Sequence, residues 1–309
     1  MRADLQPSLP RCHYVMSQLL TIARSPYFIG AAAIFFASCM NAMIKGLSVY
    51  ESVVVITAWR YTLGAILVIL LWLIFRPPLP GWAAVPFHVF RGFFQISAAS
   101  LFFWSVTQIP LATAAALGLT GTLMIGPLAW LLMREPLKRD VIGGTLVGFA
   151  GALFIVNTET QLLSGEIDGP VLGYLAPILA SLCHALSVVL LRFRSQSEDP
   201  IVVAFFANTL PALYVLPVFF LMDAQPTLEL FGGYILSAFF GVSFWSLTTI
   251  AYSRAPAAKL APMTYTQLIW AAIIGFFLFG ELPGASMWSG AAVIVAACFY
   301  VMRSSNKVS

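Results

Sequence analysis

Arg60 is the residue that most needs an explanation. It sits inside VVVITAWRYTLGAILVILL, an apolar run with no other charged group. Holding a guanidinium at mid-bilayer depth costs about 2.5–3.5 kcal/mol on insertion scales, so an interaction must offset it. Two kinds of chemistry do this. A fixed cation facing a water-filled cleft binds the carboxylate or phosphate of a solute. An internal ion pair neutralises the charge, with Glu281 as its candidate partner. His184 comes next: imidazole titrates near neutral pH, so it suits a solute contact or a proton relay as well as plain burial. Asn41 serves a solute or a neighbouring helix by hydrogen bonding. Thr266, Gln267 and Trp270 fall within about one helical turn and form a wall suited to stacking and hydrogen bonding of an organic solute, or to packing. Trp104, with Ser105, Gln108, Trp245 and Tyr252, is of the same type. Lys45 stands near a helix end, where its ammonium reaches the membrane interface.

Missing chemistry is as informative. There is no HExxH, no Asp pair in an apolar segment and no CxxC among Cys12, Cys39, Cys183 and Cys298. No catalytic residue, metal or cofactor is expected. All twelve acidic residues fall in the tail, in loops or near helix ends. That disfavours an exporter that trades lipophilic cations against protons on a buried carboxylate. The competing class is an intramembrane enzyme acting on a lipid-linked substrate. Its only acidic cluster is Glu198–Asp199, beside Pro200, an ordinary helix start.

The elements that must position these residues follow from composition. Of 309 residues, 60% are hydrophobic and 9% charged, and mean hydropathy is +0.91. Soluble domains carry about 25% charge, so the chain belongs in a bilayer, and its net charge of +4 implies no nucleic-acid partner. Apolar segments run over 28–47, 52–75, 87–108, 112–133, 140–157, 170–191, 200–221, 231–253, 258–280 and 285–302. None has the alternation of a membrane strand, so the expectation is an all-α polytopic membrane protein of ten helices. With the N-terminus in the cytoplasm, fourteen of the sixteen basic residues fall on the cytoplasmic side; only Lys45 and Arg60 do not. The outer loops hold Glu159, Glu166, Asp168, Asp223 and Glu229 without Lys or Arg. This asymmetry puts both termini in the cytoplasm of a cell membrane, taken as a bacterial inner membrane.

The halves repeat. Pro110, Ala112, Thr120, Glu135 and Gly144 match Pro256, Ala258, Thr266, Glu281 and Gly290, while Asn41 falls opposite His184. Five helices per half oblige the second half to enter from the opposite side, giving inverted repeats with a solute site between them. The expected units are a tail at 1–27, repeats at 28–157 and 170–303, a linker at 158–169 and a tail at 304–309, with an interfacial helix near 14–23. Gly144, Gly148 and Ala152 form a small-residue stripe for close helix contact, within the chain or in a homodimer.

Five stretches resemble the EamA-type members of the drug/metabolite transporter superfamily: 51–61 (ESVVVITAWRY), 109–116 (IPLATAAA), 134–136 (REP), 251–262 (AYSRAPAAKLAP) and 280–283 (GELP). The resemblance implies a ten-helix carrier of small metabolites, with two five-helix repeats around a central cavity and substrates such as amino acids, riboflavin or S-adenosylmethionine. It also implies that Glu135 and Glu281, at matching helix ends, act as anchors or gate elements; Lys45, at its own helix end, is read as a gate or structural residue.

Overall fold

The computed structural model describes residues 25–76, 85–134, 139–160, 170–192, 200–222, 228–254 and 263–306. Glu135 and the segment near 14–23 lie outside these residues. All regular structure among the described residues is helical. The helices are α1 (Pro26–Leu47), α2 (Val53–Phe75), α3 (Val85–Gln108), α4 (Leu111–Gly118), α5 (Thr120–Met133), α6 (Arg139–Thr160), α7 (Val171–Arg192), α8 (Pro200–Val215), α9 (Val218–Leu221), α10 (Leu228–Arg254), α11 (Thr266–Phe279) and α12 (Ala285–Asn306). Eight stretches of 19 to 24 residues are long and apolar enough to cross a bilayer, with α4–α5 and α8–α9 each forming one; α11 and α12 hold shorter apolar stretches. The protein is a multi-pass membrane protein.

Local chemistry sets the helix ends. Pro26 opens α1, where its missing N–H costs nothing. The Ser52 hydroxyl caps α2 by accepting from the Val55 N–H at 3.4 Å. Gly280 ends α11 at φ +65°, and its N–H donates to Phe276. That left-handed geometry favours a residue without Cβ.

Helix packing repeats across the two halves. α1 lies against α10 as α3 lies against α7, and α2 on α10 matches α8 on α3. α2 pairs with α8, and α6 with α12. These contacts between the halves come in matched pairs, as inverted repeats require.

The apolar segment at 112–133 is not one continuous helix. It breaks at Leu119, between α4 and α5. Gly118 and Gly121 flank the break, and the Ser181 hydroxyl of α7 donates to the Gly118 carbonyl at 2.8 Å. A side chain thus replaces a lost backbone bond, which makes a break tolerable away from water. The second half breaks at the matching position: Tyr265 interrupts the turn before α11. The residues that restart the helices behave alike. Thr120 donates to Leu117 at 2.7 Å, and Thr266 donates to Met263 at 2.6 Å.

The small-residue stripe of α6 is used inside the chain. Gly148 faces Leu123 and Ala297, and Gly151 backs onto the Gly290 carbonyl of α12. A Cβ at Gly290 would overlap the Ile155 side chain and stand 3.0 Å from the Gly151 carbonyl oxygen. Backbone cannot give way as a flexible side chain can. Gly290→Val should therefore destabilise the α6–α12 contact by about 1–3 kcal/mol through overpacking. Thermal unfolding of the purified variant in detergent checks this. An unchanged midpoint would mean the two helices are not held this closely.

Candidate functional site

Arg60 points inward, on the α2 face that also buries Ile56, Thr57, Gly64 and Val68. Its side chain is 2% exposed. Nε donates to the Met40 thioether of α1 at 3.0 Å. The guanidinium carbon lies 4.1 Å from the Tyr61 ring centroid and 5.4 Å from that of Phe103 on α3. On the fourth side is Gly241 of α10, where a Cβ would overlap Nη2 and stand 2.9 Å from Cζ. The cation therefore occupies a cage of two rings, a sulfur and a bare backbone, the surroundings in which cation–π attraction is strongest. Nη1 is buried without a hydrogen-bond partner. The ring that faces it belongs to Phe103 and not to the neighbouring Trp104, which is 37% exposed. Consecutive side chains on a helix diverge by roughly 100°, so only one of the two can face Arg60.

The ion pair offered for Arg60 does not form. Glu281 pairs instead with Lys45, Nζ to Oε1 at 2.5 Å. Its other oxygen accepts from the Leu111 N–H at 2.8 Å, the first amide of α4. Lys45 also donates to the Ile109 carbonyl at 2.8 Å. The lysine is thus tied to Glu281 and to the Ile109 carbonyl. It is 16% exposed, and its partner is 14% exposed. The reason is local: the α3–α4 connection leaves an orphan carbonyl and an orphan amide side by side, and a Lys–Glu pair satisfies both. One knot thereby joins the end of α1, the start of α4 and the α11–α12 turn.

His184 is exposed, although the residues above and below it on its face, Ala180, Ser181 and Ser187, are buried. The lipid-facing stripe of α7 is Leu172, Leu175 and Leu179. About 140° of helix rotation separates Leu179 from His184. His184 thus lies on a different side of α7 from the exposed leucines. Its ring lies 6.5 Å from that of Trp245 on α10. Arg91 of α3 is within electrostatic reach of it. Asn41 is 4% exposed, and its side-chain oxygen has no partner. It follows Met40, which binds Arg60. Trp270 meets Phe35 of α1 edge-on at 5.0 Å, and its indole N–H is buried without a partner. Gln267 and Thr266 are half-buried in the adjoining turn. Asn41, Arg60 and Trp270 thus gather around α1, while His184 and Trp245 meet where α7 approaches α10.

Sequence reasoning missed one group. His88, Arg91 and Gln95 form a buried polar stripe on α3, each 3% exposed or less. His88 stacks on Phe206 of α8 at 4.3 Å and 8°. The Gln95 amide donates to the Ala207 carbonyl at 2.5 Å. The available signal was their i, i+3, i+7 spacing, which puts three polar residues on one helix face.

With this geometry in hand, comparison with known proteins bears on function. The model of the EamA-like transporter family matches twice, at residues 24–157 and 171–303. A riboflavin transporter of Brucella anthropi is 26% identical over 264 residues, 83% of this chain and 90% of its own. An S-adenosylmethionine uptake transporter of Rickettsia prowazekii is 26% identical over 223 residues, 71% of this chain and 72% of its own. A pseudopaline exporter of Pseudomonas aeruginosa is 25% identical over 289 residues, 93% of this chain and 99% of its own. One crystal structure superposes with a TM-score of 0.63 at 20% identity, covering 93% of this chain and 99% of that one. At that identity it speaks to the fold alone.

Proposed function

Because the chain belongs to the EamA-like transporter family, a family of transporters and not of enzymes, we propose that it carries a small organic metabolite bearing an anionic group, amino-acid-like compounds included, by alternating access. The observation behind this reading is Arg60: a buried guanidinium with an unpartnered Nη1 and no carboxylate within ion-pair reach among the described residues. Cation–π contact and one weak thioether acceptor do not replace the hydration such a cation loses. A carboxylate or phosphate on the solute would complete it. Asn41, His184, Gln267 and Trp270 carry unsatisfied or accessible polar groups that suit the remainder of an organic solute, with Thr266 and Trp104 beside them. Lys45 and Glu281 act as a latch at one end of the path, and Glu135 is the matching residue of the other half. Ten crossings, repeats at 28–157 and 170–303 and cytoplasmic termini in an inner membrane complete the reading, and a homodimer is compatible with it. The relatives are named for different cargoes, riboflavin, S-adenosylmethionine and pseudopaline, so family membership leaves the cargo open.

A thermal-shift screen of the purified protein against a metabolite library tests the proposal, since a ligand that binds only the folded state stabilises it by mass action. Compounds with a carboxylate or phosphate should raise the melting temperature more than matched neutral or cationic analogues. A response confined to cations would overturn the assignment.

A further inference from the structure

Two contacts of the seam between α3 and α8 repeat two of the seam between α10 and α2. His88 and Gln95 of α3 fall 146 residues before Tyr234 and Gly241 of α10; Trp59 and Arg60 of α2 fall 147 before Phe206 and Ala207 of α8. His88 stacks on Phe206 at 8°, and Tyr234 stacks on Trp59 at 19°. Gln95 meets the backbone at Ala207, and Gly241 meets the side chain of Arg60. At both seams one large polar side chain lies against a small residue. The helix that supplies it alternates: α2 at one seam, α3 at the other.

Gln95 is 3% exposed. Its Nε2 donates to the Ala207 carbonyl at 2.5 Å. A flipped amide would set two acceptor oxygens against each other there, so the orientation is fixed by chemistry. Its Oε1 is consequently turned away from Ala207, buried and without a partner. Gln95 precedes Phe103, the residue facing Arg60, by eight positions on α3, or about 12 Å along the axis. The two polar groups therefore lie at different depths.

Building on the reading of Arg60 as the anion-binding residue, we propose that the α3–α8 seam is a second station for the cargo, pseudo-symmetric to the Arg60 station, where Gln95 Oε1 accepts a hydrogen bond from an N–H or O–H of the cargo. The cargo rests on Arg60 while the α2–α10 seam is open to one face of the membrane. It rests on Gln95 while the α3–α8 seam is open to the other. Gln95 Oε1 is a neutral acceptor, so a hydroxyl, an amide or an ammonium of the cargo can donate to it.

Cysteine accessibility in proteoliposomes tests this without knowledge of the cargo. The four native cysteines are replaced, and Arg60→Cys, Gln95→Cys and Ala207→Cys are introduced singly. The membrane-impermeant anion 2-sulfonatoethyl methanethiosulfonate is then applied from either face. Position 60 should react from one face, and positions 95 and 207 from the opposite face. Ala207→Cys, a small change on the facing helix, keeps the test alive if Gln95→Cys misfolds. Reaction at 60 with silence at 95 and 207, or reaction of all three from one face, overturns the second station and leaves the Arg60 reading standing. Silence at 60 from both faces sinks the Arg60 reading, and this proposal with it.

Discussion

Arg60→Ala should reduce transport by about two orders of magnitude while the protein still inserts and purifies as a monodisperse species. A charge-assisted hydrogen bond contributes about 1.5–3 kcal/mol, which is about 10- to 150-fold in flux below saturation. Alanine also removes the guanidinium from a cage formed by Met40, Tyr61, Phe103 and Gly241, leaving a void. Arg60→Met separates the two effects. It fills most of the space without a charge, and replacing a buried charge by an apolar side chain of similar volume is often neutral or stabilising. Arg60→Met should melt at or above the wild-type temperature and still fail to transport. Uptake into proteoliposomes measured beside thermal unfolding reads both quantities. Wild-type flux in either variant would remove Arg60 from the site.

The second large effect is one of stability. Glu281→Ala should destabilise the protein by up to about 3–5 kcal/mol, the range for removing one partner of a buried pair, since this pair keeps only 14–16% of its side-chain surface exposed. The loss has two parts: Lys45 keeps a charge with no counter-ion, and the Leu111 amide loses its acceptor. The double variant Lys45→Met/Glu281→Gln should recover most of it, because methionine removes the stranded charge and glutamine still accepts from Leu111. A double-mutant cycle on unfolding free energies, with Lys45→Met and Glu281→Gln as its single variants, checks this. Additive losses would show that the two side chains act independently. If the knot is also a latch, the double variant should transport with an altered balance between inward and outward flux.

Much of this was legible in the sequence, for a definite reason. Lipid admits few backbone arrangements, so apolar run lengths reveal helices directly. Arg60 announced itself because a charge in an apolar run has a large energy to account for. Its surroundings did not. Met40, Phe103 and Gly241 come from three other helices, and no local pattern connects them. Glu281 was offered to Arg60 from the sequence, but Lys45 takes it, because the orphan amide and carbonyl at Leu111 and Ile109 draw both side chains to the start of α4. Arg91 counted among the residues at a cytoplasmic helix end, yet α3 begins at Val85 and buries it. Gln95 escaped notice because an uncharged amide has a smaller desolvation cost than an arginine and so stands out less. The break at Leu119 was invisible for another reason: a serine on α7 makes it tolerable.

In the proposed mechanism a carboxylate or phosphate of the cargo binds at Arg60. The most direct measurement is competition for uptake into proteoliposomes by a carboxylated ligand and its methyl ester, in wild type and in Arg60→Met. In the wild type the acid should compete at least tenfold better than the ester, and in the variant that ratio should fall to about one. Equal competition by acid and ester in the wild type, or an undiminished preference for the acid without Arg60, would contradict the account.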